Sequence, residues 1–297
     1  MTDLFHTAAD VLEPLSRRWL VIIRESEVVH ADETSLRVLA EGACRNGFVW
    51  NFRTTWPKAL IAYRFAPTRS GETPRCILGT KGALMVDGYT GYNSVTEVDG
   101  RNRAACHAHV RRYFFDALKS APEGAEAMML IAQPYRIESD VCEAALAGSP
   151  THLEIRQTNS RAVREELKAW LDGQQQRHPP KSPMGDAIRY TLNRWNELGL
   201  LLDDVRVPLD NNPAEAALRR VALGRRNFLF VGNNEAGENL AGLYSLVATY
   251  EANGVNPLAY LEDVLIRVHT RPNSRIDELL PENWHGPPTE RSPEASS

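Results

Sequence analysis

The sequence predicts an α/β fold whose mixed sheet is interrupted by a large helical insertion. Short apolar runs that are typical of strands fall mainly in the first third of the chain. The spacing of apolar residues then changes to a helical period from about residue 106 to residue 202. After this block, an acidic residue, Glu215, lies in the first turn of a further helix.

The first third of the chain contains one helix and several strand-like segments. Residues 4–23 space their apolar side chains as an amphipathic helix does. Asp32 ends the first strand-like run, and Asp87 follows the fourth run directly before Gly88, which marks a turn. The four predicted strands are 28–32, 48–52, 59–63 and 83–86.

The remainder of the chain predicts helices almost throughout. Ser182 is the expected N-cap of one of them, because Pro183 follows in the first helical position. A short apolar run at 228–231 precedes a turn at 232–234. The predicted helices begin near Val110 and continue over 125–147, 160–171, 183–198, 236–253 and 257–268.

Composition indicates a globular protein without a global attraction to nucleic acid. Hydrophobic residues make up 43% and charged residues 24%, and the net charge is -4. Contact with DNA would therefore depend on local basic clusters. The four cysteines form no Cys-x-x-Cys pair, and no apolar run is long enough to span a bilayer. We expect reduced thiols and a cytoplasmic location.

Three carboxylates from distant segments, Asp32, Asp87 and Glu215, form the candidate site. Each also has an ordinary structural explanation, because aspartates are common at strand ends. Glu215 would complete a capping box if Asn212 were the N-cap, or it could pair with Arg219. Magnesium, however, binds oxygen ligands, and two ions about 3.5–4 Å apart can hold both reacting oxygens of a phosphodiester. The three acids together therefore predict a metal site.

Two basic clusters are candidates for contact with DNA phosphates. The first is equally well explained as an exposed basic helix start, whereas for the second we favour phosphate contact, since arginine can form two parallel hydrogen bonds to phosphate. Zinc binding by the first cluster is not favoured, because no second pair of ligands lies nearby in the sequence. The clusters are His107, His109, Arg111 and Arg112, next to Cys106, and Arg219, Arg220, Arg225 and Arg226.

Seven motifs in order carry a resemblance to a known family. They lie at 30–34, 87–93, 106–114, 210–215, 224–230, 253–261 and 278–281. On these motifs the chain resembles the insertion-sequence 66 family of DDE transposases over nearly its whole length. The resemblance implies a ribonuclease-H-like core with Asp32 and Asp87 as the two aspartates of the catalytic triad. Glu215 is the best match for the third acid, with Glu33 and Asp210 as near competitors.

The resemblance also implies an activity. The chain would be a transposase catalytic domain that cuts and transfers DNA strands with Mg²⁺, although Mn²⁺ fits the same ligands. Its partners would be transposon ends and target DNA, a homo-oligomer assembled on DNA and accessory transposition proteins, with no membrane partner. Two alternatives stay open: a silent or truncated remnant that binds DNA or an intact transposase, and a ribonuclease-H-like nuclease.

Three departures from the family pattern motivate the remnant alternative. Members usually carry a long N-terminal region with a zinc-binding module, whereas almost nothing precedes the first predicted strand here. Ala216 follows Glu215 where arginine is frequent, and Glu251 stands where lysine is usual.

The expected organisation is a leading helix at 1–27, the ribonuclease-H-like core at 28–105 and 206–240, a helical insertion at 106–205, a C-terminal helical element at 241–286 and a disordered tail at 287–297.

Overall fold

The computed structural model describes residues 2–55, 58–97, 100–281, 283–284 and 286. Within these residues the fold is mixed α/β, as predicted, with one five-stranded sheet and many helices. The strands are β1 (Val28–Ala40), β2 (Ala43–Arg53), β3 (Ile61–Ala66), β4 (Ala83–Val86) and β5 (Asn102–Ala105). The predicted tail at 287–297 lies outside the described residues.

The sheet has the strand order β3-β2-β1-β4-β5. β2 and β3 pair antiparallel, whereas β4 pairs parallel with both β1 and β5, so the sheet is mixed as expected. β1 and β2 are longer than their apolar runs, because they continue to a tight turn in which Gly42 has φ 71°. β5 carries no apolar run, and the sequence pattern did not predict it.

Helices lie at each predicted position in order, and three short helices, at 72–77, 93–96 and 150–155, were not predicted. They are α1 (Thr2–Glu25), α2 (Glu72–Ile77), α3 (Asn93–Thr96), α4 (His107–Ala117), α5 (Gly124–Glu143), α6 (Pro150–Ile155), α7 (Arg161–Gln175), α8 (Pro183–Asn193), α9 (Trp195–Gly199), α10 (Asn212–Phe228), α11 (Asn234–Ala252) and α12 (Pro257–Arg267). Ser182 caps α8 as predicted, since its Oγ accepts a hydrogen bond from the amide of Gly185 at 3.0 Å. The helix expected over 183–198 is broken at Arg194.

The chain divides into two compact units. Unit 1 comprises residues 1–25, 33–73 and 217–297, and unit 2 comprises residues 26–32 and 74–216. In unit 1, α11 covers the edge strand β3: Ser245 Oγ accepts from the amide of Tyr63 at 2.7 Å, and Thr249 Oγ1 accepts from that of Ile61 at 2.9 Å. These side chains satisfy backbone groups that an edge strand would otherwise leave unpaired.

Unit 2 contains β4, β5, the first residues of β1 and the helices α4 to α9. Its apolar core lies among α4, α5, α7 and α8, around Phe114, Ile131, Leu171 and Ile188, all of which are almost completely buried. A second cluster joins Met85 of β4 to the segment that precedes α10.

In the described part of the chain, no helix combines the length and apolar character needed to cross a membrane.

Candidate metal centre

Three residues of interest lie close to the last pairs of the parallel ladders in unit 2. The last pairs of the two ladders are His30 with Met85 and Val86 with Ala105. Asp32 and Asp87 each lie two residues beyond the last β1–β4 pair, and Asp87 and Cys106 each lie one residue beyond the last β4–β5 pair. Asp87 and Cys106 directly follow β4 and β5, whereas Asp32 lies inside β1, which continues to Ala40, so the prediction that Asp32 ends its strand is wrong.

Asn211 fixes the start of α10 against this edge. The side chain is fully buried, and its Nδ2 donates to the carbonyl of Ala31 at 2.9 Å. Its Oδ1 lies 3.1 Å from Nδ1 of His30, and its backbone amide donates to Sγ of Cys106 at 3.3 Å. Because Asn211 immediately precedes α10, these bonds hold the first turn of that helix beside the first residues of β1 and the end of β5.

Glu215 lies in this first turn and faces α4. Its Oε1 is 3.8 Å from Nε2 of His109, and its Oε2 is 3.8 Å from Nη2 of Arg112. Both distances exceed a hydrogen bond, and Oε1 is buried with no hydrogen-bond partner among the residues that the structure describes.

The capping-box alternative for Glu215 is wrong. Helix α10 begins at Asn212, so Glu215 is its fourth residue and not its third. The amide of Asn212 instead donates its hydrogen bond to Oδ1 of Asp210 at 3.0 Å. The Glu215 carboxylate therefore has no capping role at the start of this helix.

The two acids that compete with the triad residues have other partners. Glu33 accepts a hydrogen bond from Nε of Arg69 at 2.7 Å. Asp210 accepts from both the amide and the side chain of Asn212, at 3.0 Å and 2.9 Å. Asp87 accepts a hydrogen bond at one oxygen, Oδ1, from the amide of Tyr89 at 2.9 Å.

One group of potential metal ligands is already assembled in the described residues. Sγ of Cys106, a ring nitrogen of His109 and a carboxylate oxygen of Glu215 all lie within 4.8 Å of one another. Cys106 is fully buried, and burial raises the pKa of its thiol to about 11. The sequence did not predict this group, because Glu215 is remote from the other two. The only signal was the Cys-x-x-His spacing of Cys106 and His109 at the start of α4.

The first basic cluster lies on α4 in unit 2. Arg111 and Arg112 are exposed, whereas Nδ1 of His107 lies 2.9 Å from the carbonyl of Leu209. Burial lowers the pKa of His107 to about 4, so its ring is uncharged at neutral pH. His109 faces Glu215. Arg111 and Arg112 are therefore the members of this cluster that could contact a phosphate as exposed cations.

The second basic cluster lies on α10 in unit 1. Arg220 pairs with Glu251, the residue that stands where the family usually has lysine. Nη1 of Arg225 donates to the carbonyl of Ser35 at 2.6 Å. Arg219 and Arg226 are exposed. The cluster thus contains two arginines in protein contacts and two that face solvent.

The fold and the site define a mixed α/β protein in which Cys106, directly after β5, lies close to His109 and Glu215. The family model described as Transposase IS66 family matches residues 1–239. A second model, IS66 C-terminal element, matches residues 245–281. The chain belongs to the IS66 transposase family, as its motifs indicated.

Several similar proteins come from Sinorhizobium fredii (strain NBRC 101917 / NGR234). Uncharacterized protein y4jD is 33% identical over 296 residues, which cover 92% of this chain and 57% of that protein. Uncharacterized protein y4hP is 32% identical over 284 residues, covering 87% of this chain and 51% of that protein. Uncharacterized protein y4qI is 32% identical over 293 residues, covering 92% and 54%. The chain therefore spans about half the length of these relatives.

Proposed function

We propose that this chain is the catalytic part of a DDE-type transposase and that its sheet is a ribonuclease-H-like core. Membership of the IS66 family implies transposase function and DNA as the partner. The observation that supports the catalytic assignment is the register of β1 and β4: its last pair, His30 with Met85, lies two residues before Asp32 on one strand and two residues before Asp87 on the other. Asn211 then holds the helix of Glu215 against the same strand edge.

The proposed ligands fit a hard divalent cation. Asp32, Asp87 and Glu215 offer carboxylate oxygens, which Mg²⁺ and Mn²⁺ prefer. Oε1 of Glu215 is buried without a hydrogen-bond partner in the described range, so it is available as a ligand. When bound, such ions stabilise the negative charge that develops on a phosphodiester during displacement.

The residues around the acids have separate roles in this proposal. Arg112 lies beside Glu215 and is exposed, so its guanidinium can bind a phosphate oxygen of the strand that is cut. Arg111, Arg219 and Arg226 are the further exposed candidates for phosphate contact. Such contacts position the DNA without reading its sequence.

The reaction needs no covalent link between protein and DNA. Water attacks the phosphorus at the element end, the bond to the 3′ oxygen breaks, and a 3′-hydroxyl and a 5′-phosphate result. That 3′-hydroxyl then attacks a phosphodiester of the target strand and displaces its 3′ oxygen. The protein supplies positioning and charge in both displacements.

Replacing Asp87 tests the proposal. The substrate is a supercoiled plasmid that carries the inverted repeats flanking the gene, incubated with Mg²⁺ and analysed for nicked, linear and strand-transfer products. We expect Asp87→Asn to abolish cleavage while circular dichroism and thermal unfolding remain as in the wild type. Asp210→Asn is the matched control, and we expect it to cut, because Asp210 contacts Asn212 and lies outside the proposed triad.

Two outcomes would contradict the proposal. Cleavage by Asp87→Asn at nearly the wild-type rate would remove Asp87 from the reaction. A wild-type chain that binds the repeats but never cuts them would favour the remnant alternative. Cutting without strand transfer would instead favour a ribonuclease-H-like nuclease.

A further inference from the structure

We propose that Cys106, His109 and Glu215 form a binding site for a thiophilic transition metal ion, with Zn²⁺ as the best match. The proposal does not require the chain to be a transposase. It shares one residue, Glu215, with the proposed catalytic triad, but its other two ligands differ from those of the triad in chemistry and position.

The donor set selects the kind of metal. Thiolate sulfur, imidazole nitrogen and carboxylate oxygen are the ligands that zinc takes in proteins, whereas magnesium avoids sulfur and prefers oxygen. Three protein ligands leave a fourth position open for water or a substrate group, as in catalytic rather than structural zinc sites.

The geometry is close to that of a bound ion. The three ligand atoms lie within 4.8 Å of one another, and Oε1 of Glu215 is 3.8 Å from Nε2 of His109. Ligand atoms around tetrahedral zinc are roughly 3.3–3.8 Å apart, given metal–ligand distances of about 2.0–2.3 Å. Small side-chain rotations would therefore complete the site without moving the backbone.

One unsatisfied polar atom supports the same conclusion. Oε1 of Glu215 is buried and has no hydrogen-bond partner in the described part of the chain. A buried polar atom without a partner costs about 1–3 kcal/mol. A cation between the imidazole and the carboxylate would supply the missing interaction for Glu215 directly and would orient the ring of His109.

Three elements hold the ligands in place. Cys106 immediately follows β5, His109 lies in the first turn of α4, and Glu215 lies in the first turn of α10. The amide of Asn211 donates to Sγ of Cys106 at 3.3 Å, which would stabilise a thiolate there. The three proposed ligands are therefore positioned by the end of one strand and the first turns of two helices.

Cobalt substitution tests the site with a spectroscopic readout. The reduced wild-type chain is titrated with Co²⁺, which reports thiolate ligation through a sulfur-to-cobalt charge-transfer band in the near ultraviolet. We expect the band to saturate at one equivalent and to disappear when Zn²⁺ is added. We expect Cys106→Ser to abolish it, and His109→Ala and Glu215→Gln to weaken cobalt binding by about tenfold or more.

Matched variants separate this site from other thiols and from the proposed catalytic function. Cys44, Cys76 and Cys142 are exposed, and the variant with all three replaced by serine should keep the band. Asp87→Asn should also keep it, even though we expect that variant to lose cleavage. Absence of the band in the wild type, or its persistence in Cys106→Ser, would overturn the proposal. If Cys106→Ser fails to fold, unchanged cobalt affinity in both His109→Ala and Glu215→Gln would overturn it equally.

Discussion

Asn211 joins β1, β5 and α10 through one side chain and one backbone amide. It is fully buried, and its contacts to Ala31, His30 and Cys106 are all at hydrogen-bonding distance. The adjacent Asn212 is exposed. In the described part of the chain, its side chain donates a hydrogen bond to Asp210. Two neighbouring asparagines thus have very different roles at the start of the same helix.

Replacing Asn211 should loosen the site as well as the fold. Asn211→Ala leaves the carbonyl of Ala31 without its side-chain donor, and we expect a loss of about 2 kcal/mol in the free energy of unfolding. We also expect weaker Mn²⁺ binding, because the first turn of α10 loses its attachment to β1. Urea denaturation and manganese titration measure the two effects.

The exposed neighbour provides the control for this prediction. Asn212→Ala should change the free energy of unfolding by no more than about 0.5 kcal/mol, as is usual for surface positions. Equal effects of the two substitutions would contradict the positioning role that we assign to Asn211.

At the scale of elements, a π-helical turn at Arg156–Ser160 joins α6 to α7. Arg156 is 2% exposed and donates to both oxygens of Glu138 on α5, at 2.8 Å each. Its Nη1 also donates to carbonyls of the segment that leads towards α10: those of Leu201, Asp204, Val205 and Val207. This one guanidinium therefore connects α5 to the segment that precedes α10.

The Glu138–Arg156 pair gives a pH-dependent prediction. Burial raises the pKa of Glu138, but the hydrogen bonds and charges of Arg156 and His152 outweigh it, so that the pKa lies below its ordinary value of 4.5. A lowered folded-state pKa stabilises the fold above the unfolded-state pKa, and this contribution is lost as the pH falls through the folded value. Glu138→Gln should therefore cost about 2–4 kcal/mol at neutral pH, and less as the pH falls below about 4.

Denaturant titrations between pH 3 and pH 7 measure this difference. Glu154→Gln is the matched control, because Glu154 is exposed on the neighbouring helix α6. A gap between wild type and Glu138→Gln that keeps its full size in acid would show that the carboxylate charge is not its source. Equal pH dependence of the free energy of unfolding in Glu138→Gln and Glu154→Gln would contradict the prediction in the same way.

At the scale of the whole molecule, the sequence predicted the mixed α/β class, the longer helices in their order and four of the five strands, but not the short helices α2, α3 and α6. Apolar runs identify strands that are buried on both faces, such as β4, whose four residues are all buried. β5 lacked this signal, because Asn102 and Arg103 make half of it polar and Asn102 is exposed. Its position follows from pairing with β4, which no local pattern encodes.

The candidate site was also only partly predictable from the sequence. The motifs identified Asp32, Asp87 and Glu215 as candidates, and the ladder between β1 and β4 ends two residues before each of the two aspartates. The grouping of Glu215 with Cys106 and His109 depends on the register of β5 and on the contacts of Asn211, both of which are tertiary. The partners of Arg220 and Arg225 likewise could not be read from their spacing on α10.

Titration with Mn²⁺ by calorimetry tests most directly whether Asp32, Asp87 and Glu215 hold one metal centre. The wild type is compared with Asp32→Asn, Asp87→Asn and Glu215→Gln, and with Glu33→Gln and Asp210→Asn as controls of the same charge change. We predict that each triad substitution weakens binding by about tenfold or more, equivalent to about 1.4 kcal/mol, while the controls bind as the wild type does. Wild-type affinity in Asp87→Asn would contradict the account.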